Sequence, residues 1–224
     1  MLKRITYLEK LQSLSFSEFS EHWAGPHARI AKELPGLACY LQNHIKQVAG
    51  TGAEADEFQI DGIVELWFRE PGAFSAASQS QLADRLVEDE QKFLSGLTGG
   101  AVVSEEPHEP WFHKLWILGQ WREDQGGMEE PLRAWVNTAC ASIGGLLGTN
   151  VNILEPHGDL LTRELLRVDP KIPQIAIALG FSTSSDAESA LATLHEELEQ
   201  QDLMRDIRLL MGVEKIVVAP ELSA

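Results

Sequence analysis

Two hydrophobic periods alternate along this chain. From Leu2 to Leu11 (LKRITYLEKL) apolar and polar positions alternate every second residue, the repeat of a strand with one buried face. From Phe16 the repeat lengthens. Phe16, Phe19, Trp23, His27, Ile30 and Leu34 recur at three- and four-residue spacing, which predicts one buried stripe along a helix. Ser15 and Glu18, three apart, make a capping-box pattern at its start. Gly25-Pro26 falls inside the stripe. A proline there removes a donor and collides with the carbonyl four residues back, so a kink or break is expected near His22, re-aiming His27. Pro35-Gly36 then stops the helix.

The same patterns predict strands over Leu37–Val48 and Asp61–Phe68, separated by a Gly- and acid-rich loop at 49–57. A helical region follows over Ala73–Leu94, interrupted around Ser78–Ser80, and Gly99-Gly100 precedes a fourth strand at Ala101–Glu105. Strand, helix, strand, strand, helix, strand is the split, ferredoxin-like order. It repeats more loosely: a strand at Lys114–Trp121, a helix at Glu129–Ile143, a strand at Leu147–Leu154 and a helical insertion at Leu160–Val168. A strand at Gln174–Phe181, a helix at Ser185–Leu203 and a strand at Val213–Ala219 complete it.

The expected fold class is α+β, with tandem ferredoxin-like (βαββαβ) repeats as domains over residues 1–110 and 111–224, hinged at Pro107–Trp111. The second repeat lacks counterparts of His27, Tyr40 and His44 and reads as a degenerate partner. Such a sheet carries helices on one face only and leaves the other to be covered. Two of them are therefore expected to pack sheet to sheet within one chain, an eight-stranded barrel-like body with helices outside.

Composition narrows the partners. A net charge of −16 would repel phosphate backbones and anionic membranes, which argues against nucleic acid and membrane surfaces. Cys39 and Cys140 lie in separate halves with no CxxC, which fits a reducing cytoplasm. Met1 opens directly into a strand-like run with no apolar signal core, and no apolar run approaches the ~20 residues of a membrane span. A cytoplasmic location is expected.

Candidate chemistry centres on the second strand and the helix before it. Imidazole titrates near neutrality, so His27 on the apolar stripe is a candidate proton carrier. Its structural alternative is a core histidine bonded to a carbonyl freed by Pro26. Tyr40, Gln42 and His44 share one strand face, and Cys39, Leu41, Asn43 and Ile45 the other. The polar set lines a pocket or faces water at a sheet edge. Ile63, Glu65 and Trp67 share a face of the third strand. Glu65 is costly to bury ionised without a partner, so it calls for a pair with His44 or Arg4, for a raised pKa that makes it an acid, or for a place at the rim. His22, off the main stripe, is expected at the surface or rim. Five residues from His27 is the wrong phase for two metal ligands on one α-helical face. His27, His44 and Glu65 make a metal set only if they converge. His108, His113, His157 and His195 carry no case for function. No GxGxxG, Walker loop or GxSxG is present, and neither metal nor cofactor is expected.

Residues 3–109 resemble the EthD-like family of the dimeric α/β barrel superfamily. The resemblance rests on KRITYLEK, HWAGPHARIAKELPGL, YLQNH, DGIVELWF and VEDEQKFL. It implies a pocket between the sheet and its own helices, with His27 and Tyr40 in it. It also points to a superfamily of isomerases, decarboxylases, cyclases and cofactor-independent monooxygenases, with haem-binding branches. Haem would need a histidine from the later helix, and Ala73–Leu94 contains none. The implied function is a cofactor-independent lyase or isomerase acting by proton transfer on a small aromatic or lactone-like substrate. His27, Tyr40 and His44 would be catalytic, and Trp23, Asn43, Glu65 and Trp67 would contact the substrate. A cofactor-free monooxygenase and a non-catalytic ligand-binding protein are the alternatives. The expected partners are a small-molecule substrate and a second copy of the chain.

Overall fold

The computed structural model describes residues 1–49, 57–78, 80–103, 107–122, 128–156 and 158–220. Most of the predicted loop at 49–57, and His157, lie outside the described residues. Eight strands are present: β1 (Leu2–Lys10), β2 (Leu37–Ala49), β3 (Gly62–Phe68), β4 (Leu94–Val103), β5 (His113–Trp121), β6 (Leu146–Leu154), β7 (Ile175–Phe181) and β8 (Met204–Val218). They close into one antiparallel barrel in the order β1-β3-β2-β8-β5-β7-β6-β4.

Two ferredoxin-like orders are visible in that circuit, β4-β1-β3-β2 and β8-β5-β7-β6. They join edge to edge, β2 to β8 over a long register from Tyr40↔Val218 to Ala49↔Leu209, and β4 to β6 only at Val102↔Leu154 and Val103↔Ile153. Closure pairs β2 fully with β8 but β4 with β6 only at its end. The expected sheet-to-sheet body is thus reached by edge pairing, with the two sheets facing each other across a shared interior.

Three predicted elements differ. β4 begins at Leu94 and contains Gly96, Gly99 and Gly100, because these glycines mark close approaches and not a turn. A side chain at Gly99 would collide with the Ile5 carbonyl, and one at Gly96 with the Phe58 ring. β8 begins nine residues early, at Met204, where exposed Arg205 and Asp206 disguise it. Leu160–Val168 is not helical. It is an extended strap over the part of β4 that β6 does not reach, bonded through Leu161 N–H to Gly99 O (2.7 Å), Leu97 N–H to Arg167 O (2.9 Å) and Arg167 N–H to Ser95 O (2.9 Å). Those backbone groups of β4 would otherwise go unpaired.

Helices α1 (Phe16–His22) and α2 (Ala28–Ala31), joined by a π-helical turn at Trp23–His27, lie on one side of the barrel with α3 (Pro71–Ser78) and α4 (Gln81–Glu90). Helices α5 (Glu129–Cys140) and α6 (Ser184–Gln200) pack on β5–β7 on the other side. The predicted hinge is tied into the barrel: Trp111 is buried against Gly148 and Gly180, and His108 stacks on it at 3.5 Å. Cys39 and Cys140 are free and buried. Among the described residues no helix is long and apolar enough to cross a membrane.

Candidate active site between the helices and the β1–β4 sheet

The Ser15 capping box forms as expected, with Ser15 N–H donating to Glu18 Oε2 at 2.8 Å and Glu18 N–H to Ser15 Oγ at 3.3 Å. The helix it opens reaches Pro26, which has no N–H to give. There the chain widens, and the Ala28 N–H reaches back five residues to the Trp23 carbonyl. The widened turn changes the phase of the histidines. Residues five apart now share a face, and His22 and His27 both reach Asp89 on α4.

His27 is 8% exposed, and its Nδ1 lies 3.1 Å from Asp89 Oδ2. His22 Nε2 lies 3.2 Å from both Asp89 oxygens, and Lys92 Nζ 3.3 Å from Oδ1. Phe93 packs on both imidazoles, at 4.8 Å from His22 and 5.1 Å from His27. The hydrogen bond from His27, joined by that from His22, holds the Asp89 carboxyl well below the usual range against the cost of its burial. An ionised carboxylate only accepts, so Nδ1 of His27 carries the proton. In the neutral ring Nε2 then carries the lone pair, and no hydrogen bond engages it among the described residues.

Tyr40 is 1% exposed. Its hydroxyl accepts from Trp23 Nε1 at 3.1 Å and from Gln42 Nε2 at 2.8 Å. With both lone pairs engaged, the phenol proton remains to be donated. Burial pushes the phenol well above its ordinary pKa despite these two donors, so it stays protonated. Trp23 in turn lies over Gly62, where a Cβ would come within 2.6 Å of the indole.

His44 belongs to the support of this phenol. Lys215 Nζ donates to Ser20 Oγ (3.1 Å), Ser20 Oγ to His44 Nδ1 (2.9 Å), and His44 Nε2 to Gln42 Oε1 (3.2 Å). The chain orients the Gln42 amide that holds Tyr40. Burial, aided by Lys215 and Lys46, takes the His44 pKa down to about 3. An unfolded histidine titrates near about 6.5, so below that pH the unfolded chain binds a proton that the native one refuses. The stability contributed by neutral His44 is therefore present above pH ~6.5 and lost as pH falls toward 3. The urea midpoint is expected to drop across this window, and to drop less steeply in His44→Gln. Equal slopes in the two proteins would contradict the assignment.

His27 and Tyr40 meet at a cavity of about 180 Å³ between the sheet and α1–α4. Its walls are mostly apolar: Leu8, Val64 and Leu66 from the sheet, Ala31 and Leu34 beyond His27, Phe74, Leu86 and Val87 from α3 and α4. Leu161 and Arg163 of the strap close one side, and Arg163 grips Glu90 through two bonds of 2.5 and 3.1 Å. The part of the chain after β6 thus contributes to the cavity beside β1–β4.

Trp23 touches the cavity's chemistry through Tyr40, and His44 through Gln42; neither borders the cavity. Asn43, Glu65 and Trp67 are not brought to it at all. The pleat sends them to the barrel interior, with the sheet between them and His27. Glu65 finds neither His44 nor Arg4 there. It pairs with Lys114 at 2.5 Å and Lys3 at 2.9 Å, and accepts from Asn43 Nδ2 at 3.0 Å. Lys114 also reaches Glu214 at 2.6 Å, and Lys3 lies 4.2 Å over Trp67. Burial raises the Glu65 carboxyl, but Lys114 and Lys3 outweigh it and hold the group well below its usual range. Glu65, His108 and Glu214 present donor atoms within 4.8 Å of one another, yet the Lys114 ammonium already bridges the two carboxylates.

Sequence reasoning missed Asp89 and the strap. Asp89 was findable: three residues after Leu86 and four before Phe93, it occupies the buried stripe of its helix.

The strand circuit and the helix-side cavity define a dimeric α/β barrel, here completed within one chain. Residues 11–96 match the EthD domain, a stretch that holds His22, His27, Tyr40, Asp89 and Phe93. No curated protein sequence matches the chain. Among solved structures, an anthrone oxidase-like protein superposes with TM-score 0.60 at 6% identity, covering 100% of this chain and 96% of its own. A candidate monooxygenase from Fusobacterium nucleatum gives 0.58 at 10% over 100% and 96%. A candidate monooxygenase from Lactobacillus acidophilus NCFM gives 0.53 at 13% over 98% and 96%. At such identities the likeness is one of fold.

Proposed function

We propose that the cavity is an active site in which His27 removes a proton from a small, largely apolar substrate while Tyr40 donates to the oxygen that gains charge. The observation that carries this reading is the opposite character of the two groups. His27 offers a lone pair backed by an ionised Asp89, and Tyr40 offers a proton backed by two N–H donors. A base and a hydrogen-bond donor across an apolar space suit abstraction of a C–H beside a carbonyl, or of a phenolic O–H.

The electron pair freed at carbon moves onto oxygen, where Tyr40 stabilises it. Return of the proton from His27 to another carbon completes an isomerisation. Departure of hydroxide from the neighbouring carbon, which takes the proton from His27 and leaves as water, completes a dehydration. In a decarboxylation the pair comes instead from the C–CO₂⁻ bond as carbon dioxide leaves, and a protonated His27 then delivers the proton to that carbon. We read the protein as a cofactor-independent lyase or isomerase of the EthD type. Size supports a single ring, since an apolar cavity of about 150 Å³ holds one benzene and this one measures about 180 Å³.

The solved structures of like fold that are described as monooxygenase or anthrone oxidase-like favour a second reading. There the same deprotonated substrate reduces dioxygen, with one oxygen atom retained in the product and the other leaving as water. Turnover under argon separates the two: a lyase or isomerase runs unchanged, and an oxygenase stops.

Tyr40→Phe is the sharper test of the donor. It keeps the ring and removes the hydroxyl, so kcat is expected to fall by about 10²–10³-fold, with a smaller change in KM. Trp23 Nε1 and one Gln42 N–H lose their acceptor, and stability should drop by about 1–3 kcal/mol. A full kcat in the folded variant would remove Tyr40 from the mechanism.

A further inference from the structure

Arg4 is the unexplained charge beside this cavity. It stands on β1 two residues before Thr6 on the helix-side face, and opposite Leu66 on β3; Thr6 and Leu66 both border the cavity. Its guanidinium lies 3.8 Å over the ring of Phe74, a third wall residue. Arg4 is 5% exposed, and its Nη2 donates to the Asp159 carbonyl of the strap at 3.0 Å. Nε is buried with no hydrogen-bond partner. Among the described residues no carboxylate pairs with it. Asp159 and Glu155 act on it only across longer distances and do not offset its desolvation. Arg163 and Arg208, by contrast, hold Glu90 and Asp169 directly.

A guanidinium does not shed its charge to escape burial, so an unpaired one is costly to keep. The cost falls if an anion completes it. On a guanidinium, Nε–H and one N–H of Nη2 lie side by side as the fork that takes a carboxylate through two parallel bonds. We infer that Arg4 recognises a carboxylate on the substrate, whose ring lies in the cavity against Phe74. This rests on the cavity being the active site. It deepens that reading to a substrate class: single-ring aromatic or lactone-like acids. Arg4 is a specificity-determining residue here, remote from the proton transfer at His27.

Benzoate and benzamide test this, since they share a ring and a shape and differ in charge. Calorimetric titration at neutral pH is expected to show benzoate binding the intact protein about tenfold or more tightly than benzamide. Arg4→Met should erase that preference, Arg4→Lys should keep only part of it, and His27→Gln should keep all of it. Melting temperatures identify variants that fold. If Arg4→Met does not, Arg4→Lys and the preference of the unaltered protein decide. Equal binding of the two probes, no binding of benzoate, or an unchanged preference in a folded Arg4 variant overturns the assignment. Turnover of neutral ring compounds without a carboxylate preference would remove this inference and leave proton transfer standing. A carboxylate preference with no product from any ring acid would do the reverse.

Discussion

Replacing His27 with glutamine is expected to lower kcat by about 10²–10⁴-fold, the usual contribution of a positioned general base. Fold and ligand affinity should be nearly unchanged. Glutamine fills similar space, and its amide can still donate to Asp89, so the helix–helix contact survives. What it lacks is the second ring nitrogen and its lone pair. Asp89→Asn should follow with a smaller loss, because a neutral partner fixes the imidazole tautomer and steadies its charged form less well. Its stability profile should also change. The Asp89 carboxyl lies well below an unfolded aspartate, so its contribution is present above about pH 4 and lost as pH falls further. Steady-state kinetics and a pH series of unfolding curves read both effects. Full turnover in a folded His27→Gln protein would remove the base from the account.

The second large effect lies across the sheet. Glu65→Gln in the barrel interior is expected to destabilise the protein by about 3–5 kcal/mol, the cost of breaking one partner out of a buried ionic group. Glu65, Lys3 and Lys114 are almost wholly buried, and Glu214 pairs with Lys114 while also accepting from the Trp111 N–H. Removing the Glu65 charge therefore takes a carboxylate from two buried ammoniums at once, Lys3 at 2.9 Å and Lys114 at 2.5 Å. Urea unfolding measures the loss directly, and the melting temperature should fall by roughly 10 °C for a chain of this size. Because the interior is separated from the cavity, kcat at low temperature should hold. A variant within about 1 kcal/mol of the parent would show that Asn43 and the remaining charges satisfy the lysines alone.

These two outcomes separate what the residue pattern could say from what it could not. Period-two and period-3.6 repeats were enough for six of the strands to within a few residues, and for the two ferredoxin-like orders that the barrel joins. β8 was read only from its second half, since Arg205, Asp206 and Arg208 interrupt the apolar alternation. Gly99 and Gly100 looked like turn residues because their role, room for the β1 backbone at Gly99 and for the Leu154 side chain at Gly100, is visible only once β1 and β6 are in place. His27 and Tyr40 were legible, one from its stripe and one from its strand face. The convergence of His22 with His27 was not, because the argument from phase assumed an α-helix and Pro26 makes a π-turn. Glu65 stood open between a pair with His44 or Arg4, an acid of raised pKa and a place at the rim. Its partners, Lys3 on β1 and Lys114 on β5, come from distant sequence that only the closed barrel brings together.

The central claim is that His27 takes a proton from a bound ring compound. Deuterium exchange in D₂O, followed by NMR under argon on aromatic and lactone acids shown to bind, tests it most directly. Exchange registers the abstraction whether the later step is isomerisation, elimination or reaction with oxygen. The account predicts wash-in of deuterium at one carbon of the bound compound, lost in His27→Gln and strongly slowed in Tyr40→Phe. Tight binding with no exchange, or exchange at the same rate without His27, would contradict it and leave a protein that only holds its ligand.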